Sequence, residues 1–317
     1  MTWGKARDRY WDEVGRHWRG LGPRKMIAHL NWLDAAIGRD TPLSSIRNPV
    51  VARLVAKRRG EPVRVDEDTR EPIFPAPATI NRSCTEPLRR VLNRAREVWE
   101  EDVAPIRWRN HLLPEPKERI RELTEEEEAK LLENIRPDYR EIVKFALASG
   151  VRVGGCVSLT WQSVDFRTRS IKIAGKGGRD YTIPMSNKML AILFPLQGLH
   201  ETAVFTYIAQ RTKGGKERGK RYPITISGLS TAWRRSNAVD DYRFHDNRHT
   251  RATRLLRQTG NLKLVQKLLG HTRIETTAKY AHATDDDLRN ALDMESHGNY
   301  HEKKATKAQR FGINNKS

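Results

Sequence analysis

The sequence predicts a mainly α-helical protein of two domains, the second holding a small antiparallel β-sheet. Length is the first observation: 317 residues suggest about two domains, each large enough to bury its own core. Second, the first 110 or so residues carry apolar positions at helical spacing, with Pro or Gly at the breaks. Third, SIKIAG and RDYTIPM alternate like strands around a KGG turn, the pattern of a short hairpin.

In chain order, helices are expected near Trp3–Trp18, Pro23–Ile37, Pro42–Lys57 and Pro77–Glu101. The last carries Leu88, Val91, Leu92, Ala95, Val98 and Trp99 as an apolar stripe, with Arg82, Arg89, Asn93 and Arg96 gathered on another face. Pro87 either kinks that helix or marks a later start capped by Thr85. Pro105, Pro114 and Pro116 among mixed charges mark an extended linker reaching Arg121. Thr124 followed by Glu127 forms a capping box, and Glu125 to Glu128 put negative charge at the positive end of the helix dipole. A helix from Glu141 to Ser149 stops at Gly150, just ahead of Arg152. The hairpin follows with Lys176 near its tip, then the basic, glycine-rich loop RTKGGKERGKRYP with Lys213 and Lys216. A helix from Leu262 to Leu269 stops at Gly270, a natural left-handed terminus that delivers His271. Beyond Tyr280, Thr284 can cap a helix with Leu288, Ala291, Leu292 and Met294 on its apolar face, and the basic, polar tail Tyr300–Ser317 reads as disordered until it meets a partner.

Composition points to a polyanion. Lys and Arg number 59 against 39 Asp and Glu, a net charge of +20 that favours nucleic acid through counterion release. Lys213 and Lys216, in the basic loop, are candidate contacts to such a partner. The two cysteines, Cys84 and Cys156, form neither a disulfide framework nor a thiolate zinc site and are expected as small buried hydrophobes. The first residues are charged throughout, and no apolar run reaches about 18 residues, so neither a signal peptide nor a membrane span is expected and a reduced, cytosolic setting is.

Six residues in the second half fall in one order: Arg152, Lys176, His245, Arg248, His271 and Tyr280. They supply two fixed cations, a mobile cation, two imidazoles and a phenol, the set needed to attack a phosphodiester without a metal. As phosphorus becomes five-coordinate, charge accumulates on its nonbridging oxygens. Arginine forks aimed there stabilise that state more than the ground state, which suits Arg152 and Arg248. His245 and Arg248 are three apart, on one face of a helix. The Tyr280 phenol, with an ordinary pKa near ~10, needs a base or the field of the arginines to become a nucleophile. Lys172 is a weaker candidate than Lys176 for the mobile cation.

The segments GVRVGG, GKGGRDYTIP, FHDNRHTRAT and LLGHTRIETTAKYAH resemble the catalytic motifs of the tyrosine recombinases, in particular the integrases of phages and mobile elements. PATINRSCTEPLRRVLNRAREVW is similar to the last helix of that family's core-binding domain, which implies that Arg82, Arg89 and Arg96 are DNA contacts. The resemblance implies a two-domain DNA clamp: a helical core-binding domain over residues 1–109, a linker over 110–121, a catalytic domain over 122–298 and a basic tail over 299–317. It implies that Tyr280 forms a 3′-phosphotyrosine, that Lys176 protonates the leaving 5′ oxygen, that His271 bonds a nonbridging oxygen and that His245 shares in handling the nucleophile's proton. Neither cofactor nor metal is expected. The expected partners are double-stranded recombination sites, three further copies of the chain on paired sites, and accessory DNA-bending or directionality proteins, in the bacterial nucleoid. In the family the residue three after the first arginine is usually acidic, and here it is Gly155. Its replacement keeps open a catalytically weak protein that occupies recombination sites; a type IB topoisomerase-like enzyme is the other alternative, disfavoured by the helical N-terminal domain.

Overall fold

The computed structural model describes residues 1–281 except Arg19, Leu21, Asp68, Lys117, Glu118, Lys176, Gly177 and Asn237. The expectations for Lys176, for the helix after Thr284 and for the tail therefore lie outside the described residues. The chain forms two compact units, Met1–Glu118 and a second beginning at Arg119.

The first unit is built on helices α1 (Trp3–Glu13), α2 (Gly22–Ile37), α3 (Asn48–Gly60), the single turn α4 (Pro77–Ile80) and α5 (Glu86–Glu97). Their apolar faces close on Trp3, Leu30, Leu33, Val51, Leu54, Leu88, Val91 and Leu92. Two boundaries differ from expectation for reasons that trace to proline. Helix α3 starts at Asn48, not Pro42, because a helix running through Pro49 would lose an N–H and clash with the preceding turn. Ahead of Pro87, Asn81–Thr85 opens into a π turn, which absorbs the hydrogen bond that proline cannot make to Ser83. Thr85 is itself helical and caps nothing. Helix α5 ends at Glu97, so Val98 is 55% exposed and leaves the apolar stripe. A small hairpin, β1 (Arg64–Val65) with β2 (Pro72–Ile73), was not legible from alternation because each strand has two residues.

In the second unit α6 (Glu125–Asn134) opens on the complete capping box: Thr124 Oγ1 accepts from the Glu127 N–H at 3.2 Å, and the Glu127 carboxylate accepts from the Thr124 N–H at 3.0 Å. Helix α7 (Arg140–Ser149) is the central buried rod, followed by the short α8 (Val153–Val157). The expected hairpin pairs β4 (Ser170–Ile173) with β5 (Tyr181–Pro184), and β3 (Val164–Asp165) extends it to three antiparallel strands. Ile171 and Ile183 face each other across that sheet and are buried. After α9 (Asn187–Leu193), β6 (Thr206–Ile208) pairs with β7 (Arg221–Pro223). The basic stretch RTKGGKERGKRYP is thus the turn and return strand of a second hairpin, not a loop alone. Helices α10 (Ile226–Ser236), α11 (Asp246–Thr259), α12 (Leu262–Leu269) and the turn α13 (Glu275–Ala278) complete the unit, with α11 packed on α7 and α12.

No helix among the described residues is long and apolar enough to cross a membrane. Both cysteines are free and buried. Burial pushes the Cys84 thiol up to about 12 and raises Cys156 as well, so neither is a ready thiolate.

Candidate active site

Helix endings deliver the site. Helix α7 stops because Gly150 turns left-handed, φ 67°, and two residues on Arg152 is the extended residue that begins α8. Helix α12 stops in the same way at Gly270, φ 62°, and releases His271. These two endings leave carbonyl groups without helical donors. Arg248, on the first turn of α11 and 2% exposed, fills both vacancies: it donates to Gly150 O at 2.8 Å and to Leu269 O at 2.7 Å. The partial negative charge at a helix C-terminus suits a buried guanidinium.

A third donor–acceptor contact joins Arg248 to His271, whose Nε2 lies 2.8 Å from the guanidinium. Since arginine only donates, Nε2 accepts there, and the other ring nitrogen, 2.8 Å from Thr277 Oγ1, carries the proton and donates. Burial, and then the like charge of Arg152, lower the Arg248 pKa, but arginine remains a cation. Arg152 and His271 line a cavity of about 250 Å³ together with Arg179, Tyr181, Thr272 and Thr276. A cavity of about 480 Å³ elsewhere in the unit, lined by Arg136, Tyr139, Tyr207, Lys216 and Arg235, holds none of the five candidate catalytic groups among the described residues.

His245 directly precedes α11, and partial burial, then Arg248, Arg152 and Lys279, hold its pKa below the ordinary imidazole value. Its ring meets His249 edge-on with centroids 5.2 Å apart. Tyr280 is 4% exposed, among Ala252, Val265 and Leu269, and its hydroxyl lies 3.1 Å from His249 Nδ1. The structure thus joins Arg248 to His271 directly, sets Arg152 on the same cavity, and reaches Tyr280 through His249. Lys172 projects from β4 and is ion-paired to Asp180 at 3.3 Å.

Sequence reasoning missed His249 and Tyr181. His249 stands inside the quoted HTRAT segment, and its position one residue after Arg248 was the available signal. Tyr181, in the GKGGRDYTIP segment, lines the cavity. Burial raises its pKa, which the neighbouring Arg248 and Arg152 oppose.

The candidate DNA contacts are less uniform. Arg82, Arg89 and Arg96 each pair with a carboxylate, Glu115 at 3.6 Å, Glu86 at 2.9 Å and Glu97 at 2.9 Å. Asn93 turns to the Trp108 indole at 3.1 Å. Lys213 is exposed, whereas the Lys216 ammonium bonds the Tyr207 hydroxyl and lies over the Tyr207 and Tyr222 rings.

Gly155 is buried on α8, and a Cβ there would lie 2.8 Å from Val151 Cγ1 and 3.0 Å from Ile173 Cγ2. A carboxylate has no room, and the carbonyls of Gly150 and Leu269 hold Arg248 instead. Gly155→Glu is expected to destabilise the protein by about 3 kcal/mol through overpacking and a buried charge. A thermal melt tests this, and an unchanged midpoint with faster cleavage would show that the site accepts an acid.

Acid should weaken the fold. His29, His111 and His245 all have pKa values lowered chiefly by burial, so the unfolded chain binds more protons than the folded one below about pH 6.5. Their contribution is complete above that pH and is lost as pH falls through the depressed folded values. Urea midpoints are expected to drop between about pH 7 and pH 5; a flat profile contradicts the assignment.

The fold is that of DNA-cutting integrases. A solved structure of the Tn1549 transposon integrase in complex with transposon right end DNA matches with a TM-score of 0.68 at 18% identity, covering 93% of this chain and 100% of that one. The family model described as the phage integrase family matches residues 121–287, and the chain belongs to that family. It is similar to the integrase of Salmonella phage P22, 29% identical over 231 residues, 68% of this chain and 58% of that protein. It is also similar to tyrosine recombinase XerC of Staphylococcus saprophyticus, 32% identical over 181 residues, 52% of this chain and 58% of that protein. The matches span 58% of the length of both curated relatives.

Proposed function

We propose that this chain is a site-specific DNA recombinase that cuts and rejoins strands through a 3′-phosphotyrosyl intermediate on Tyr280. The observation that carries the reading is the 2.8 Å contact between buried Arg248 and His271 at a cavity that Arg152 also lines. A phosphate seated there would meet Arg152 from one side, and its nonbridging oxygens would draw the donors now shared between Arg248 and His271. Tyr280 attacks phosphorus, the 5′ oxygen leaves with a proton from Lys176, and the phosphotyrosine keeps the bond energy for rejoining. ATP is not needed. The Tn1549 integrase structure holds DNA, which supports duplex DNA as the partner. Four copies on two paired sites, accessory DNA-bending proteins and a cytoplasmic, nucleoid setting complete the reading.

The test is to mix the full-length protein with labelled genomic fragments in excess EDTA and to recover DNA bound covalently through its 3′ ends. Charge stabilisation by arginine and lysine predicts adducts that persist without divalent metal. Loss of adduct that magnesium restores would overturn this mechanism. Gly155 favours one other reading, a protein that binds sites without cutting them, which predicts retained fragments and no covalent linkage.

Lys176→Ala is expected to slow cleavage by about 10² to 10⁴, the usual weight of general acid catalysis. Sulfur at the bridging 5′ position leaves without a proton and should restore the rate. A variant that stays slow on that substrate assigns Lys176 to DNA binding.

A further inference from the structure

In the segment that carries His245 and Arg248, a second histidine lies against the nucleophile. His249 and Tyr280 are 2% and 4% exposed, their rings are 5.6 Å apart, and Nδ1 lies 3.1 Å from the phenol oxygen. That oxygen is the atom that must attack phosphorus if the proposed function holds, and the present inference rests on that reading. We infer that His249 is a further catalytic residue, the group whose Nδ1 accepts the phenolic proton as Tyr280 attacks.

The step balances. The Tyr280 oxygen forms its bond to phosphorus while the bond from phosphorus to the 5′ oxygen breaks; the phenolic proton passes to His249 Nδ1, and the leaving oxygen takes a separate proton from the acid on its own side. No oxidant, reductant or metal enters. Geometry comes first for a general base, and 3.1 Å is within its reach. A neutral imidazole with Nδ1 unprotonated accepts from a phenol, and burial favours the neutral form.

The surroundings agree with a neutral acceptor. His249 meets His245, the residue just ahead of its helix, edge-on at 5.2 Å, with Arg248 adjacent in sequence. From the segment of Tyr280, the Lys279 ammonium lies 5.1 Å over the phenol ring. Helices α7 and α12, packed against α11, bury only uncharged side chains. Among the described residues the charged groups acting on the adjoining His245 are three cations, Arg248, Arg152 and Lys279, and one carboxylate, Asp246, so positive charge predominates and opposes protonation of His249 before DNA arrives. It also favours phenolate on Tyr280. An incoming phosphate brings the negative charge that makes an imidazolium tolerable.

The experiment measures single-turnover adduct formation on a nicked site, recovered as above, with saturating DNA across pH, for wild type, His249→Asn and Tyr280→Phe. The asparagine offers a hydrogen-bond partner in place of Nδ1 but cannot take a proton. His249→Asn should form adduct about 10² to 10⁴ times more slowly at neutral pH. Its rate should keep rising with pH where wild type levels off, because the phenol must then ionise unaided. A rate close to wild type, or a reduced rate with the wild-type pH profile, overturns the proposal and leaves His249 a structural residue. Should the variant fail to fold, histidine-selective ¹⁵N NMR of the wild-type chain decides: Nδ1 unprotonated at the pH of reaction supports the role, and an imidazolium or an Nδ1–H tautomer overturns it. An adduct that persists in Tyr280→Phe identifies a different failure, that of Tyr280 as nucleophile, and removes the proposal with it.

Discussion

Covalent protein–DNA adduct is expected to vanish in Tyr280→Phe while DNA affinity stays within about twofold of wild type, since one hydroxyl is small against many phosphate contacts. The fold should survive. The ring remains among Ala252, Val265 and Leu269, and losing the hydrogen bond to His249 costs about 1 kcal/mol. Gel shift and denaturing electrophoresis on the same samples separate the two quantities. Adduct at wild-type level would move the nucleophile elsewhere, and Tyr181, which lines the cavity, is the first place to look.

Arg248→Ala is expected to damage both stability and chemistry. The variant leaves Gly150 O, Leu269 O and His271 Nε2 without the donor that now lies within 2.8 Å of each. Stranding buried acceptors of this kind costs about 1–3 kcal/mol each, so a loss near ~4 kcal/mol is reasonable after partial entry of water. Removing a donor to the developing oxyanion adds a factor of about 10² to 10³ in cleavage rate. Arg248→Lys tests whether charge alone suffices: a lysine cannot span both carbonyls and the histidine in one plane, so it should recover DNA binding and little of the cleavage. Denaturant melts and adduct yields distinguish the effects. A lysine variant with full activity would reduce Arg248 to a point charge.

Much of the fold was legible because its signals are local. The capping box at Thr124, the glycine stops at Gly150 and Gly270 and the alternation in SIKIAG and RDYTIPM each depend on a few adjacent residues. The hairpins β1–β2 and β6–β7 were not, since strands of two or three residues show no period. The order of Arg152, His245, Arg248, His271 and Tyr280 could be read, but not which ring would approach the phenol. The His249–Tyr280 contact joins residues 31 apart, and only packing of the segment after α13 onto α11 creates it. Nor could the sequence say that a side chain at Gly155 would crowd Val151 and Ile173, which reach it from a loop and a strand.

Holding Arg248 by carbonyls also changes the charge count at the proposed phosphate seat. A carboxylate partner would cancel about one unit of positive charge; amide carbonyls carry only partial charge and leave the guanidinium close to its full value. Arg152 and His271 line the cavity and Arg248 bonds His271, so two largely uncancelled cations act at one place; after burial, repulsion from Arg152 is the next cause of the lowered Arg248 pKa. Emptiness is the costly state of such a seat. A bound phosphodiester relieves the repulsion between the cations as well as attracting each of them, so occupancy and the integrity of the surrounding helix ends rise together.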